Sequence, residues 1–121
     1  MTPDLTSIFA TLRPLYSRHA GKCVVLADTP DRYWLGTHEV RARDGYRTDF
    51  GGVQIGKAYV SAHLMAVYIH PDMLADLSPE LRKRMQGKSC FNFKKPDAQL
   101  FDELSRVVAA GIARFQDDGR L

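Results

Sequence analysis

The sequence predicts an α+β fold in which an antiparallel sheet of about five to six strands is flanked by N- and C-terminal helices, with a short helical excursion before the last strand. Three observations support this prediction. Apolar residues recur at helical spacing near both ends of the chain. Between them lie short β-branched and aromatic runs bounded by turn residues. Connections of hairpin length join these runs without a regular alternation of strands and helices, which disfavours a doubly wound parallel sheet.

Length and composition indicate one globular domain over residues 1–121. A chain of 121 residues, 45% hydrophobic and 26% charged, has the size and balance of a single folded unit. It contains no apolar run as long as a membrane-spanning helix, and its N-terminus lacks the basic and apolar blocks of a secretory signal. We therefore expect a cytoplasmic protein that does not contact membranes. In that compartment Cys23 and Cys90 are expected to be reduced thiols.

The N-terminal helix is predicted from apolar residues at helical spacing over residues 5–16. Thr2 is the expected cap and Pro3 the expected first-turn residue, since a proline there loses no intrahelical hydrogen bond. Pro14 should bend or shorten the helix, because proline lacks a backbone donor and clashes with the preceding turn. Gly21 is expected to end it.

Two apolar runs after this helix predict strands over residues 22–29 and 32–40. The second run alternates two sets of side chains, with Tyr33, Leu35 and Thr37 on one face and Trp34, Gly36 and His38 on the other. The pair Asp44-Gly45 is the strongest hairpin signal in the chain, so a third strand should begin near Tyr46.

The run from residue 51 to 71 is the most informative part of the sequence. Its glycines punctuate it, so we predict a strand around 53–55, a tight turn, and a long strand over 58–69. Period-two alternation would place one set of side chains in the core, namely Val60, Ala62, Leu64, Ala66 and Tyr68. The other set is mixed and suits a partly covered face or the wall of a pocket: Tyr59, Ser61, His63, Met65 and Val67.

A helical excursion, a strand and a long helix complete the chain. Residues 71–86 predict two short helical pieces, the second with Ser78 as cap and Pro79 in its first turn. Gly87 is expected to close this second helix, after which a strand follows. Asp97 should cap the final helix, whose apolar stripe consists of Leu100, Phe101, Leu104, Val107, Val108, Ile112 and Phe115.

The tripeptide Gly-Lys-Ser at residues 87–89 matches the end of a nucleotide-binding P-loop, but its context does not. A P-loop has a glycine five residues before its Gly-Lys pair, and that position here is Arg82. A P-loop also follows a strand and opens a helix whose N-terminus faces the phosphates, whereas the order predicted here is the reverse. We therefore interpret this segment as the entry to a strand.

Positive charge is concentrated in one segment of the chain. Residues 82–95 contain six cations and no acid, and without them the formal net charge of +3 becomes −3. These cations are Arg82, Lys83, Arg84, Lys88, Lys94 and Lys95. They are compatible with a solvated helix C-terminus or with an anion-binding surface. Nucleic acid is disfavoured, because it would require a more basic chain and exposed stacking aromatics, and Phe91 and Phe93 are expected in the core.

His63 is the most informative single polar residue, because it lies in the middle of a predicted strand. A histidine there can be a structural hydrogen-bonding residue, an acid–base group, a ligand donor or a metal ligand. The sequence around it has no His or Cys spacing typical of a metal site. Cys90 beside Lys88 would pair with His63 as nucleophile and base only if the fold joined them, and the alternative is an inert buried thiol.

The second half of the chain resembles the YdhG-like family of small bacterial domains. The segments that carry the resemblance are KAYVSAHLMAVY and GKSCFNF, separated by a short helical stretch and followed by an amphipathic helix. The matching positions are Lys57, Tyr59, His63, Gly87, Lys88, Phe91 and Phe93. This resemblance implies an antiparallel sheet flanked by helices. It also implies iron or other metal handling as one possible role, since one member of the family has a frataxin-like iron-chaperone role.

Taken together, these patterns lead us to expect a non-enzymatic binding domain for a small anionic ligand or an acidic protein surface. The candidate ligand-binding residues are Lys57, Tyr59, His63, Arg84 and Lys88. No nucleophile, base and orienting residue can be assembled from the sequence, so we predict no catalytic residues, no cofactor and no resident metal. Metal handling is the alternative function. A self-pairing edge strand would allow a homodimer.

Overall fold

The computed structural model describes residues 4–121, so the predicted pair Thr2 and Pro3 lies outside the described residues. The elements are helix α1 (Leu5–Ser17), strands β1 (Val24–Thr29), β2 (Arg32–Val40), β3 (Arg47–Ile55) and β4 (Val60–Leu64), helices α2 (Met65–Ile69) and α3 (Pro79–Arg82), strands β5 (Met85–Gln86) and β6 (Cys90–Phe93), and helix α4 (Ala98–Asp117). Two 3₁₀ helices lie at Ala20–Lys22 and Pro71–Asp76.

The six strands form one antiparallel sheet in the order β1-β2-β3-β4-β6-β5, which leaves β1 and β5 at its edges. This arrangement, with a helix at each end of the chain and short helical pieces before the last strands, confirms the predicted α+β class. Within the described residues, no helix combines the length and the apolar character needed to cross a bilayer.

The core lies between one face of the sheet and the helices α1 and α4. Phe50 of β3 occupies its centre, where its ring makes edge contacts with Tyr16 of α1 and Phe115 of α4, at centroid distances of 6.3 Å and 5.8 Å. The predicted stripe of α4 is confirmed, with Val107 half-buried at its margin. The largest fully buried side chains include Tyr16, Phe50, Phe91, Phe93, Phe115, Leu12 and Leu104.

Helix α1 begins and ends differently from the prediction. Asp4 caps it, accepting a hydrogen bond from the Thr6 backbone N–H at 3.0 Å. Pro14 lies inside the helix without ending it, and the last turn continues to Ser17. Gly21 does not end the helix but lies in the 3₁₀ segment that follows. Pro14 lacks the N–H that would bond to the preceding turn, and only three residues of the helix follow it.

Strand β3 is continuous, whereas the sequence predicted a separate strand around 53–55. That prediction was wrong because Gly51 and Gly52 allow close strand packing and do not form a turn. A Cβ atom at Gly52 would lie 2.1 Å from the carbonyl oxygen of Tyr33, and one at Gly51 would lie 2.0 Å from that of His63. Both glycines are therefore required by the neighbouring backbones.

The predicted long strand over residues 58–69 is wrong in its second half, where the chain forms α2. Ala66 and Val67 are adjacent and both buried, which the alternation of a strand does not allow. The helical conformation places α2 against α4, where Gly111 permits a close approach, since a Cβ there would lie 3.0 Å from the Cβ of Ala66. Tyr68, predicted in the core, is 52% exposed.

The segment around Gly87 also differs from the prediction. Helix α3 ends at Arg82, and the chain enters β5 before it reaches Gly87. Gly87 has a φ of +79°, the left-handed conformation expected of it, but it lies in the turn between β5 and β6 and not at a helix C-terminus. The interpretation of residues 87–89 as a strand entry is confirmed, since β6 and not a helix follows Ser89.

The predicted caps of α3 and α4 are confirmed. The Ser78 hydroxyl accepts from the Leu81 backbone N–H at 3.1 Å, and Asp97 accepts from the Leu100 backbone N–H at 3.1 Å. Glu103 of α4 accepts from the Ser78 backbone N–H at 2.8 Å and from its hydroxyl at 2.6 Å. The helical excursion is thereby attached to α4, which holds the following hairpin of β5 and β6 in place.

A polar cluster attaches the end of α4 to the rest of the domain. His70 Nε2 lies 2.6 Å from Asp118 Oδ2, and Arg120 Nε donates to the same oxygen at 3.3 Å. Arg120 also donates to Glu39 Oε2 of β2 at 2.6 Å, and its carbonyl accepts from the His38 backbone N–H at 2.9 Å. The cluster therefore joins β2, α2 and the C-terminus.

This cluster predicts an acid-sensitive contribution to stability. The hydrogen bond with His70, and then that with Arg120, hold the pKa of the Asp118 carboxyl below its ordinary value. A carboxyl whose pKa is lower in the folded state stabilises the fold above its unfolded pKa of about 3.9, and the contribution is lost as pH falls through the folded pKa. We expect Asp118→Asn to lower the free energy of unfolding at neutral pH and to weaken its dependence on pH below about 4, measured by urea denaturation.

The control for this prediction is Asp117→Asn, which removes the same charge one residue earlier. Asp117 is exposed and makes no ion pair with any residue in the range 4–121. Equal effects of the two substitutions at neutral pH would contradict a specific role of Asp118.

Candidate functional site

The sheet has a second face on which side chains are half-buried or exposed. In β4 and β6 these side chains alternate with core residues, so Ser61, His63, Cys90 and Asn92 all point away from the core. The register places them in two rows across the sheet. One row contains Trp34, Gly52, His63, Cys90 and Gln86, and the other contains Arg32, Gln54, Ser61 and Asn92. We call the surface formed by these nine residues the open face.

An aromatic stack forms the middle of the open face. The rings of Trp34 and His63 are nearly parallel, with 16° between their planes and 5.3 Å between their centroids. Gly52 separates their strands in the register, and a Cβ there would lie 2.8 Å from Cε3 of the indole, so only glycine leaves room for this ring. The Arg32 guanidinium lies 4.6 Å from the centre of the indole. The indole is therefore engaged within the protein and fixes the His63 ring.

His63 contacts two potential nucleophiles at the start of β6. Its Nδ1 lies 3.2 Å from Cys90 Sγ and 3.1 Å from Ser89 Oγ. Burial lowers the pKa of His63, while the Asp49 carboxylate acts in the opposite direction. Burial raises the pKa of the Cys90 thiol, and the Ser89 hydroxyl partly offsets this. At neutral pH the pair is therefore a neutral imidazole beside a protonated thiol.

A chain of hydrogen bonds joins two residues of the second row to Gln86 of the first row. The Ser61 hydroxyl donates to Asn92 Oδ1 at 2.7 Å, and Asn92 Nδ2 donates to Gln86 Oε1 at 2.7 Å. This chain ends at the β5–β6 hairpin, where the sheet borders the cationic segment. The amide groups of Gln86 and Asn92 are thereby held at the edge of a cleft.

The cleft lies at the edge of the open face, beside the residues that precede β4 and those that follow α3, and has a volume of about 540 Å³. Its lining contains three cations and no carboxylate. The lining residues are Ala58, Tyr59, Lys83, Arg84, Met85, Gln86, Asn92 and Lys94. We call it the cationic cleft. One neighbouring cleft shares Lys83, Arg84 and Lys94 but also contains Glu80 and Asp97, and another contains the cations Arg82 and Lys88 and no carboxylate. Of these three clefts, the cationic cleft gathers the most cations without a carboxylate.

The cations of the 82–95 segment lack the salt bridges with carboxylates that most other arginines of the domain form. Arg13, Arg41, Arg106, Arg114 and Arg120 each form a salt bridge with a carboxylate. Across residues 4–121, none of the six cations of the 82–95 segment does so. The charge facing the cationic cleft is therefore not neutralised by a direct ion pair.

The structure brings together some of the residues predicted to bind a ligand. Tyr59 and Arg84 line the cationic cleft. His63 lies on the same face of the sheet, beyond Ser61, and outside that lining. Lys88 lines a different cleft, where its Nζ lies 5.9 Å from the centre of the Tyr68 ring. Lys57 is exposed in the turn between β3 and β4 and lines neither cleft.

Sequence reasoning did not select the other lining residues of the cationic cleft. Lys83 and Lys94 belong to the cationic segment, but only the hairpin shows that they approach the same space. Asn92 could have been found from the sequence, because it alternates with buried neighbours along its strand and so must face away from the core, as Trp34 outside the cleft also does. Gln86 could not, because the sequence predicted a helix there.

Comparisons with models of known protein families, with curated proteins and with solved structures found no match. Among residues 4–121, no three His, Cys, Asp or Glu side chains come together in a way that would hold a metal ion. Function is therefore inferred from the geometry of the cationic cleft and the open face.

Proposed function

We propose that this domain is a non-enzymatic binding module that holds a small anionic ligand in the cationic cleft. The observation that supports this proposal is the convergence of Lys83, Arg84 and Lys94 on one concave site that contains no carboxylate. Like charges gathered in this way repel one another, and a bound anion would relieve that repulsion.

Each lining group has a distinct part in this proposal. The planar guanidinium of Arg84 can donate two parallel hydrogen bonds to a phosphate or carboxylate, whereas Lys83 and Lys94 act as mobile point charges. Tyr59, Gln86 and Asn92 supply hydroxyl and amide groups that would orient the uncharged part of the ligand. Nucleic acid is disfavoured, because the lining of the cationic cleft includes a single aromatic residue, Tyr59, and the Trp34 ring of the open face is already stacked.

The proposal is tested by thermal and urea unfolding with inorganic phosphate, pyrophosphate and citrate as probes, at low ionic strength so that screening stays weak. A probe present at a hundred times its dissociation constant should stabilise the domain by about 2.7 kcal/mol. We expect Arg84→Glu to abolish this stabilisation, because it removes the bidentate donor and places a carboxylate in the cleft.

The matched controls are Lys88→Glu and Lys57→Glu, which make charge changes of the same size outside the cationic cleft. Both should keep most of the stabilisation seen with the unsubstituted protein. Full stabilisation of the Arg84→Glu variant, or an equal loss in all three variants, would contradict a built site and indicate only a diffuse positive field.

Metal handling is the second candidate, suggested by the resemblance to the YdhG-like family. Its support in the structure is the pair of a histidine nitrogen and a cysteine sulfur, His63 and Cys90, which are ligands that soft divalent metals accept. The test is titration of ferrous iron and zinc into the metal-free protein, with His63→Ala as the control. Binding no tighter than about millimolar would exclude this role, since functional sites bind far more tightly.

A further inference from the structure

We infer that His63, Ser89 and Cys90 form a thiol modification site on the open face, where Cys90 reacts with peroxides and His63 accepts its proton. This inference is independent of the proposed anion binding, because none of the three residues lines the cationic cleft. The inference gives a role to a cluster of nucleophilic and basic side chains that the proposed anion binding does not use.

The geometry needed for proton transfer is present before any reactant arrives. Nδ1 of His63 lies 3.2 Å from Cys90 Sγ, within the range at which a thiol donates a hydrogen bond to nitrogen. Ser89 Oγ lies 3.1 Å from the same nitrogen, so with the ring proton on Nε2 either side chain can donate to the single lone pair of Nδ1. Ser89 and Cys90 are consecutive residues where β6 begins, so the pairing of β6 with β4 brings both of them next to His63.

One contact orients the imidazole, and a second fixes the backbone that carries it. The Trp34 indole stacks on the ring, and Gly52 provides the space that the indole needs. From the core side, the Tyr16 hydroxyl donates to the backbone carbonyl oxygen of His63 at 2.9 Å, which ties this point of β4 to α1. The stacked ring on a fixed backbone keeps its nitrogen near the sulfur.

At rest the thiol carries the proton and the imidazole is the neutral base, and the burial of both groups opposes their conversion to an ion pair before a reactant arrives. Burial raises the pKa of Cys90, so the thiol keeps its proton at neutral pH and needs a base as it reacts. Burial lowers the pKa of His63, so the ring is neutral and can act as that base. The nearby Asp49 carboxylate would stabilise the imidazolium once it forms.

The reaction with hydrogen peroxide balances without any other reactant. The thiol proton passes to His63 Nδ1, and the sulfur attacks one peroxide oxygen, so that an S–O bond forms as the O–O bond breaks. The departing hydroxide takes the proton from the imidazolium and leaves as water. The sulfur is oxidised by two electrons to a sulfenic acid, and the peroxide is reduced.

Cys23 is an internal control, because it is the other cysteine of the chain. It is also half-buried and free, and burial raises its pKa to about 11. Within the described residues, the Cys23 thiol has no histidine within hydrogen-bonding distance, whereas Cys90 has one. The two thiols therefore differ mainly in the presence of a base.

The experiment exposes the folded protein to hydrogen peroxide at pH 7, traps sulfenic acid with dimedone, and quantifies the two cysteine peptides by mass spectrometry. We expect Cys90 to be modified at least about tenfold faster than Cys23, in keeping with the dependence of thiol reactivity on its surroundings. We expect His63→Gln to remove that advantage and to leave the rate at Cys23 unchanged. Equal rates at the two cysteines in the unsubstituted protein would overturn the inference.

The variants are designed so that unfolding cannot be mistaken for loss of the base. If His63→Gln unfolded the domain, Cys23 would react faster as well, and Ser89→Ala then provides the second test. It removes the hydroxyl whose hydrogen bond lowers the pKa of the Cys90 thiol, so we expect it to slow Cys90 severalfold without changing the unfolding midpoint. A rate at Cys90 that is insensitive to both substitutions would overturn the role of the cluster.

Discussion

Gly51→Ala is expected to lower the free energy of unfolding by more than about 3 kcal/mol, the largest effect of any alanine substitution at a glycine of this chain. Two independent features produce it. The φ of Gly51 is +146°, a region open essentially only to glycine. An added Cβ would also lie 2.0 Å from the carbonyl oxygen of His63, and a backbone atom paired within the sheet cannot move away cheaply.

The same substitution at two other glycines separates these causes. Gly45 has a φ of +74° but open space around it. Gly45→Ala should therefore lower the free energy of unfolding by about 1 kcal/mol, the usual cost of placing a residue other than glycine in the left-handed conformation. Gly21 has neither a positive φ nor a near neighbour, so its replacement should be close to neutral. Urea denaturation monitored by circular dichroism gives the three values. A cost at Gly51 no greater than that at Gly45 would contradict the steric account.

The elements that the sequence predicted correctly are those whose cause is local. The final helix has an apolar stripe that matches the helical period and a cap at Asp97, and both can be seen in consecutive residues. The hairpin after Asp44-Gly45 and the alternating burial of β2 are local in the same sense. In such segments the residues that are buried in the fold are largely those that the spacing of apolar residues predicts to be buried.

The errors lie where a distant element decides the conformation. Residues 65–69 alternate well enough to continue a strand, but they pack as α2 against α4 because Gly111 leaves space for Ala66. No pattern within the segment reveals that space. The strand β5 is similar, since a two-residue strand exists only through its pairing with β6.

The candidate site likewise has features that are local in the sequence and features that depend on distant elements. The cationic segment and the outward position of His63 follow from composition and period, so both could be found in the sequence. Which cations share a cleft depends on the β5–β6 hairpin, which places Lys94 with Arg84 and directs Lys88 towards Tyr68. The contact of His63 with Cys90 depends on the pairing of β4 with β6, a strand order that the sequence does not specify.

Phe50→Ala is the second substitution with a large expected effect, a loss of about 3–5 kcal/mol in the free energy of unfolding. The ring is fully buried and lies where the two long helices meet the sheet, with edge contacts to Tyr16 at 70° and to Phe115 at 84°. Its removal leaves a cavity that three separate elements would have to close together, and it also removes two favourable aromatic pairs. Rigid elements relax little, so the upper part of the range is expected.

Two further substitutions make this prediction specific to the cavity. Phe50→Leu retains much of the buried volume and should cost less than half as much as Phe50→Ala. Tyr68→Ala removes an aromatic ring that is 52% exposed, so its cost should stay below about 1 kcal/mol. Urea denaturation midpoints and slopes provide all three values. Similar losses for Phe50→Ala and Tyr68→Ala would mean that the helices do not depend on Phe50 for their packing against the sheet.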